Sequence, residues 1–378
     1  MFDKLNAVRN SLKCGNGLWY ASTGKKYRYA WLRDIYHVAR IDLKINPKAY
    51  KQTYRTILDY FLKIEKDYQK ISWLIRDPYD KSDHRYIHPR FNVDLTEIDE
   101  PWGYKQWDAI FMVLKGMIEG IKNGIKIFRT PEDIDIVNKI IEAAYKLECW
   151  KDPESGAWEN EKALRLSTLG VILSSLRDLK EYFFIPQDFI TKTLAAFYTL
   201  FPNETSYREY DLAQLFIIYP FDVLKDPELE ALILHRIEKN LLRETGVIRY
   251  IGDWYYNRAN WYDMNRFGFK EMYIVDEYEG NEAPWHKGFI YLGLGYLHLG
   301  NIEKAQYYLT KSLKGHEDGR MRELSFAHTN IPNDNYPLAW TGSAAMELIY
   351  NIKEFNKNNS NRKLYQSQHH YDIKKLIL

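Results

Sequence analysis

Apolar residues recur at three- and four-residue intervals along most of this chain. Between Tyr50 and Tyr68, Leu58, Phe61, Leu62 and Ile64 fall on one face of a helix. The same spacing predicts helices at about 107–123, 132–148, 164–182, 187–200, 208–219, 227–242, 287–299, 302–313 and 338–353. Thr130-Pro131-Glu132-Asp133 and Ile185-Pro186-Gln187-Asp188 read as helix starts, with proline and acid where the first-turn N–H groups are free. Alternating strand patterns are scarce, no Ser/Gly/Pro-rich linker divides the chain, and no short solenoid period appears. The expectation is one all-α domain of helical hairpins over residues 1–378.

The unusual residues do not scatter through this pattern. They cluster near positions 34, 106, 159, 211, 253–285 and 323, at the predicted starts of alternate helices. In a ring of six hairpins these starts converge on one end, where helix N-termini offer free N–H groups and a partial positive potential.

Composition narrows the function classes. The 53 basic and 51 acidic residues leave a net charge of +2, with no field to draw a polyanion, so nucleic acid is not an expected partner. No apolar run approaches the roughly 20 residues that span a bilayer, and the N-terminus lacks the basic-then-apolar signal pattern. Cys14 and Cys149 have neither disulfide-scaffold nor metal-site spacing, and His84, His88, His286 and His328 form no HxH or HExxH. A cytoplasmic protein without membrane, metal or cofactor is expected. Aromatic content is high, at 16%, and Tyr and Trp combine flat apolar faces with hydrogen-bonding tips, a surface suited to sugar rings.

Taken singly, the clusters carry candidate chemistry. In Tyr29-Ala30-Trp31-Leu32-Arg33-Asp34, Arg33 donates and Asp34 accepts, so the pair is able to clasp adjacent hydroxyls beside a wall of Tyr29 and Trp31. Gln106 and Asp108 start a helix beside Trp102 and Trp107. Ser155-Gly156-Ala157-Trp158-Glu159 delivers a glutamate from a tight turn directly behind Trp158, and apolar surroundings favour the protonated form a general acid needs. Glu161 is its rival. Arg249, Tyr250 and Asp253 stand in an aromatic-rich loop, Trp285 follows Pro284 at another helix start, and Glu323 follows a Gly-Arg turn ahead of Trp340. Two carboxyls, one to protonate a leaving oxygen and one to activate water, are the equipment for glycoside hydrolysis.

In this order the clusters resemble glycoside hydrolase family 15, the glucoamylase family. The likeness rests on Trp31, Arg33 and Asp34; Gln106 and Asp108; Trp158 and Glu159; Arg249, Tyr250, Asp253 and Tyr255; Pro284 and Trp285; and Glu323 with Trp340. It spans nearly the whole chain. It implies an (α/α)6 toroid, inversion of the anomeric centre, Glu159 as acid and Glu323 as base, and an α-glucan or oligosaccharide substrate. Two departures stand out: Leu324 follows Glu323 where the family usually has Gln or His, and Arg165-Leu166-Ser167-Thr168 replaces the polar aromatic stretch after Trp-Glu. The resemblance implies an exo-acting α-glucosidase first. It also admits a trehalose or isomaltose hydrolase, or a non-catalytic carbohydrate-binding or regulatory toroid.

Overall fold

The computed structural model describes residues 1–98, 100, 103–258 and 278–375, with side chains in the last helix as far as residue 358. Trp102 therefore lies outside the described residues. Six inner segments close a ring: Leu32–Ala39 packs on Trp107–Lys122, then come Leu166–Leu179, Leu212–Ile217, His286–His298 and Ala339–Lys375, which returns to Leu32–Ala39. Each inner segment has an outer helix against it. Phe2–Ser11, Pro47–Tyr68, Gln187–Leu200, Pro227–Leu241 and Ile302–Leu313 fill this role, and Pro131–Lys146 completes the outer ring by packing on Pro47–Tyr68 and Lys70–Arg76. The result is the all-α (α/α)6 toroid.

Burial separates the two rings as the hydrophobic pattern requires. Outer helix Gln187–Leu200 buries a single stripe, Phe189, Thr193 and Phe197, at four-residue spacing. Inner helix Trp107–Lys122 is buried on almost every side. It sits close enough to Pro47–Tyr68 that a Cβ on Gly116 would lie 1.9 Å from the Tyr54 hydroxyl oxygen. Because an outer helix carries the chain back after each inner one, all six inner segments start at the same end. The loops that carry the candidate residues therefore meet there. Two small antiparallel pairs brace them: Ala30–Trp31 on Arg90–Phe91, and Leu242–Arg243 on Gly246–Val247.

The helix expected over about 208–219 is instead a six-residue 3-10 turn, Leu212–Ile217. Asp211 caps it with a full capping box to Gln214, and Pro220, which lacks an N–H, stands too close for a longer α-helix. The short helices Phe2–Ser11 and Leu32–Ala39 escape a periodicity reading, being under three turns each. Among the described residues no helix is long and apolar enough to cross a membrane.

Candidate active site

The turn that carries Glu159 is built on a glycine. Gly156 has φ +66°, and a Cβ there would sit 2.3 Å from Arg165 Cδ, so both backbone and space require glycine. Glu159 ends the turn at φ 57°, with its N–H on the Gly156 carbonyl at 3.1 Å. Left-handed backbone at a residue with a side chain costs about 1–2 kcal/mol, and such strain is concentrated at functional sites. Beneath the turn, buried Glu154 accepts from Gly156 N–H at 2.8 Å and from the Thr168 hydroxyl at 2.8 Å. Burial, with the Asp108 charge nearby, pushes the Glu154 carboxyl up to about 8. Glu159 Oε1 accepts from Trp31 Nε1 at 3.1 Å and Gln106 Nε2 at 3.3 Å, and Arg33 Nη1 stands 3.8 Å away.

Its rival Glu161 faces another way. Its carboxylate takes hydrogen bonds from Arg208 at 2.7 Å and Tyr207 at 3.1 Å, with Arg165 at 3.6 Å. Partial burial would raise this carboxyl, but Arg208 and Arg165 outweigh it and hold the group below its ordinary range. A general acid needs the opposite bias.

Glu323 lies at a bend directly before the Leu324 bridge. Leu324 bridges Trp285 and is fully buried, which gives the unexpected leucine a plain role in the core. Glu323 Oε1 accepts from the Tyr27 hydroxyl at 3.2 Å, and its Oε2 accepts from Asn333 Nδ2 at 2.6 Å and Asn335 Nδ2 at 2.7 Å. Three donors on one carboxylate orient it as an acceptor. Burial, helped by the Glu323 charge, drives the Tyr27 and Tyr255 hydroxyls well above the ordinary tyrosine range, and the two share a hydrogen bond of 2.8 Å.

The two site arginines are each tied to an aspartate. Arg33 donates to Asp108 at 2.6 and 3.0 Å, to Gln106 Oε1 at 2.7 Å and to the Gly156 carbonyl at 2.9 Å. It thus joins the start of Trp107–Lys122 to the Glu159 turn, and Asp108 faces Arg33 rather than open space. Arg249 donates to Asp253 twice, both at 2.6 Å, and its guanidinium lies over Tyr255 at 4.8 Å, Trp285 at 5.0 Å and Trp158 at 5.5 Å.

The aromatic wall is similarly braced. Trp158 Nε1 donates to Asp211 Oδ1 at 2.6 Å, and its ring lies 5.5 Å from Trp285. Trp340 donates to the Tyr291 hydroxyl at 2.8 Å and stacks on His37 at 4.4 Å. Tyr29, half-buried, lies edge-on to Trp31 at 6.0 Å, with Arg90 over its ring at 4.8 Å. Tyr250 stands further out: Arg208 stacks on its ring at 3.5 Å and its hydroxyl accepts from Asn160 at 2.6 Å.

Asp34, by contrast, turns away from Arg33's ion pair and has no hydrogen bond or ion pair of its own among the described residues. Burial lifts its carboxyl to about 6; Lys287 and Arg33 pull it down, while Glu159 and Glu323 push it up. These mutual influences put Asp34, Glu159, Glu323 and Lys287 around one site.

Four contributors were not singled out from sequence: Tyr27, Asn333, Asn335 and Lys287. The asparagines had a readable signal, since positions two apart in a Pro-bounded extended stretch share a side. Lys287, in the first turn after Trp285, had none. Among the described residues one group has metal-ligand geometry, Asp222, Glu230 and His298, with ligand atoms within 4.8 Å. His298 is the last residue of its inner helix, opposite the end that carries Trp285 and Lys287.

The family model "Glycosyl hydrolases family 15" matches residues 11–180, which include the Trp31–Asp34, Gln106–Asp108 and Trp158-Glu159 clusters. No curated protein matches the chain in sequence. Among solved structures, a wild-type glycosidase superposes with a TM-score of 0.73 at 18% identity, over 93% of this chain and 96% of that one. A glycosidase variant in complex with glucose gives 0.74 at 17%, with the same coverage. The Saccharomycopsis fibuligera glucoamylase gives 0.61 at 14%, covering 94% of this chain and 95% of that one. The fold is thus the one glucoamylases have, and the family match supports a glycosidase.

Proposed function

We propose, from the family 15 match and the glucoamylase fold, that this chain is an inverting, exo-acting α-glucosidase formed as one domain over residues 1–378. It releases glucose from the non-reducing ends of α-glucans or gluco-oligosaccharides. The observation that carries the reading is two glutamates at one site in opposed settings. Glu159 sits behind Trp158 on a strained turn, and Glu323 is held as an acceptor by Tyr27, Asn333 and Asn335.

In this reading Glu159 protonates the glycosidic oxygen as the bond to the anomeric carbon breaks. Glu323 takes a proton from water arriving on the opposite face, a mechanism that requires roughly 6.5–9.5 Å between the two carboxyls to admit that water. Asp34, with Arg33 Nη1 and Arg249, holds hydroxyls of the terminal ring, while Trp31, Trp158, Trp285 and Trp340 wall it in. A site that pairs with those hydroxyls rejects sugars that lack or invert them.

Incubation with maltose, maltotriose, isomaltose and trehalose tests the reading and ranks the linkages. Glucose is expected from at least one of them, and from longer maltodextrins it appears without early intermediate-length products. Failure on all four, or random mid-chain cleavage, contradicts the proposal.

A further inference from the structure

Among the described residues, Lys287 is the one cation of the site not joined to a carboxylate. Arg33 has Asp108 and Arg249 has Asp253, each at 2.6 Å. Lys287 makes no hydrogen bond or ion pair among the described residues, although its side chain is only 3% exposed. Its ammonium is held by aromatic faces instead, 3.6 Å from the centre of Trp340, 4.4 Å from Trp285 and 5.0 Å from Trp158. Trp158, one wall of this cage, is the residue before Glu159.

Cation–π contact positions an ammonium but gives its N–H groups no acceptor, and a buried charge without hydrogen-bond partners is costly. Asp34 has the complementary deficit: a half-buried carboxylate with no donor among the described residues. A small polyhydroxylated ring between the two would satisfy both, accepting from one and donating to the other.

We propose that Lys287 is a specificity residue of the sugar pocket, forming with Asp34 a clasp on neighbouring hydroxyls of the terminal ring. The inference rests on the glycosidase reading of the site and goes further by naming which cation reads the sugar. Lys287 donates to one hydroxyl oxygen, and Asp34 accepts the proton of the next. Arg33 and Arg249, each paired with an aspartate, also hold the loops in place, and Lys287 adds the donor beside Asp34.

The electrostatics of the site set a pH window. Asp34, Glu323, Arg249 and Arg33 all act on the Lys287 ammonium, and His37, stacked on Trp340, is in turn held down by burial and by nearby cations that include Lys287. Burial lowers Lys287 to about 7, against the opposing pull of Asp34 and Glu323. Burial raises Asp34 to about 6 and lowers Lys287 to about 7, so the doubly charged pair is most populated near these values and declines on either side. Sugar binding should be strongest in that window and weaken above it as Lys287 loses its proton.

The test is a tryptophan-fluorescence titration of the whole chain with glucose and with 3-, 4- and 6-deoxyglucose, alongside the disaccharide assay on the same preparation. For the wild type, one deoxy sugar should bind about 10–100-fold more weakly than glucose, the range expected for a hydrogen bond to a charged group. In Lys287→Met, glucose itself should weaken by that factor, and the penalty for that deoxy sugar should vanish. The weakening of wild-type binding above about 7 should vanish too. The melting temperature should hold or rise, because the variant removes a buried charge and keeps the stem. Lys287→Gln, a second variant that keeps an uncharged donor, should lose the pH limb but retain part of the discrimination. A Met variant with wild-type affinity and discrimination overturns the proposal while leaving the glycosidase reading intact. A wild type that neither binds glucose nor cleaves any of the four oligosaccharides overturns both.

Discussion

Glu159→Gln should lower kcat on the best natural disaccharide by about 10²–10⁴-fold, the usual contribution of a positioned acid or base, with sugar binding nearly unchanged. The amide oxygen still accepts from Trp31 and Gln106, so the turn keeps its support. What is lost is the proton for the leaving oxygen. A substrate whose leaving group needs no proton, α-glucosyl fluoride, should therefore be hydrolysed by this variant at a rate close to that of wild type. A Glu159→Gln enzyme that keeps wild-type kcat on the disaccharide would pass the acid's role to another group. Glu161, bound to Arg208 and Tyr207, is poorly placed to inherit it.

Glu323→Gln should lose a similar factor, about 10²–10⁴-fold in kcat, but on both kinds of substrate. The deficit now lies in deprotonating water, which fluoride does nothing to relieve. Asn333 and Asn335 both present N–H groups to Oε2. The glutamine will set its carbonyl there and turn its NH2 toward Tyr27, whose hydroxyl is able to rotate and accept. The fold is therefore kept, and a circular-dichroism melt should show it. Equal rescue of both variants by α-glucosyl fluoride would contradict the division of labour. If KM rather than kcat carries the loss, the residue binds substrate instead of acting in the transition state.

Much of the architecture was legible because helical periodicity is a local signal. Inner and outer helices differ in how much of their circumference is apolar, and the chain alternates between them. The convergence of residues 34, 106, 159, 211, 253, 285 and 323 followed from that alternation alone. The 3-10 turn at Leu212–Ile217 was not legible as such, since its apolar pattern is shared with an α-helix and only the nearby Pro220 shortens it. Within the site, side chains adjacent in sequence were easy to group and wrong to pair. Arg33 and Asp34 read as partners, yet consecutive helical residues diverge by about 100°, and Arg33 reaches Asp108, 75 positions away. Lys287 was invisible for the same reason: the three tryptophans that hold it come from three different hairpins.

The central claim is that Glu159 and Glu323 act from opposite faces of the anomeric carbon in a single displacement. Proton NMR of the glucose first released from an α-linked substrate, recorded before mutarotation, tests this most directly. The account predicts β-glucose as the initial product, with the α-anomer growing only as the sugar equilibrates. α-Glucose as the first product would require two displacements through a glycosyl-enzyme intermediate, and would contradict it.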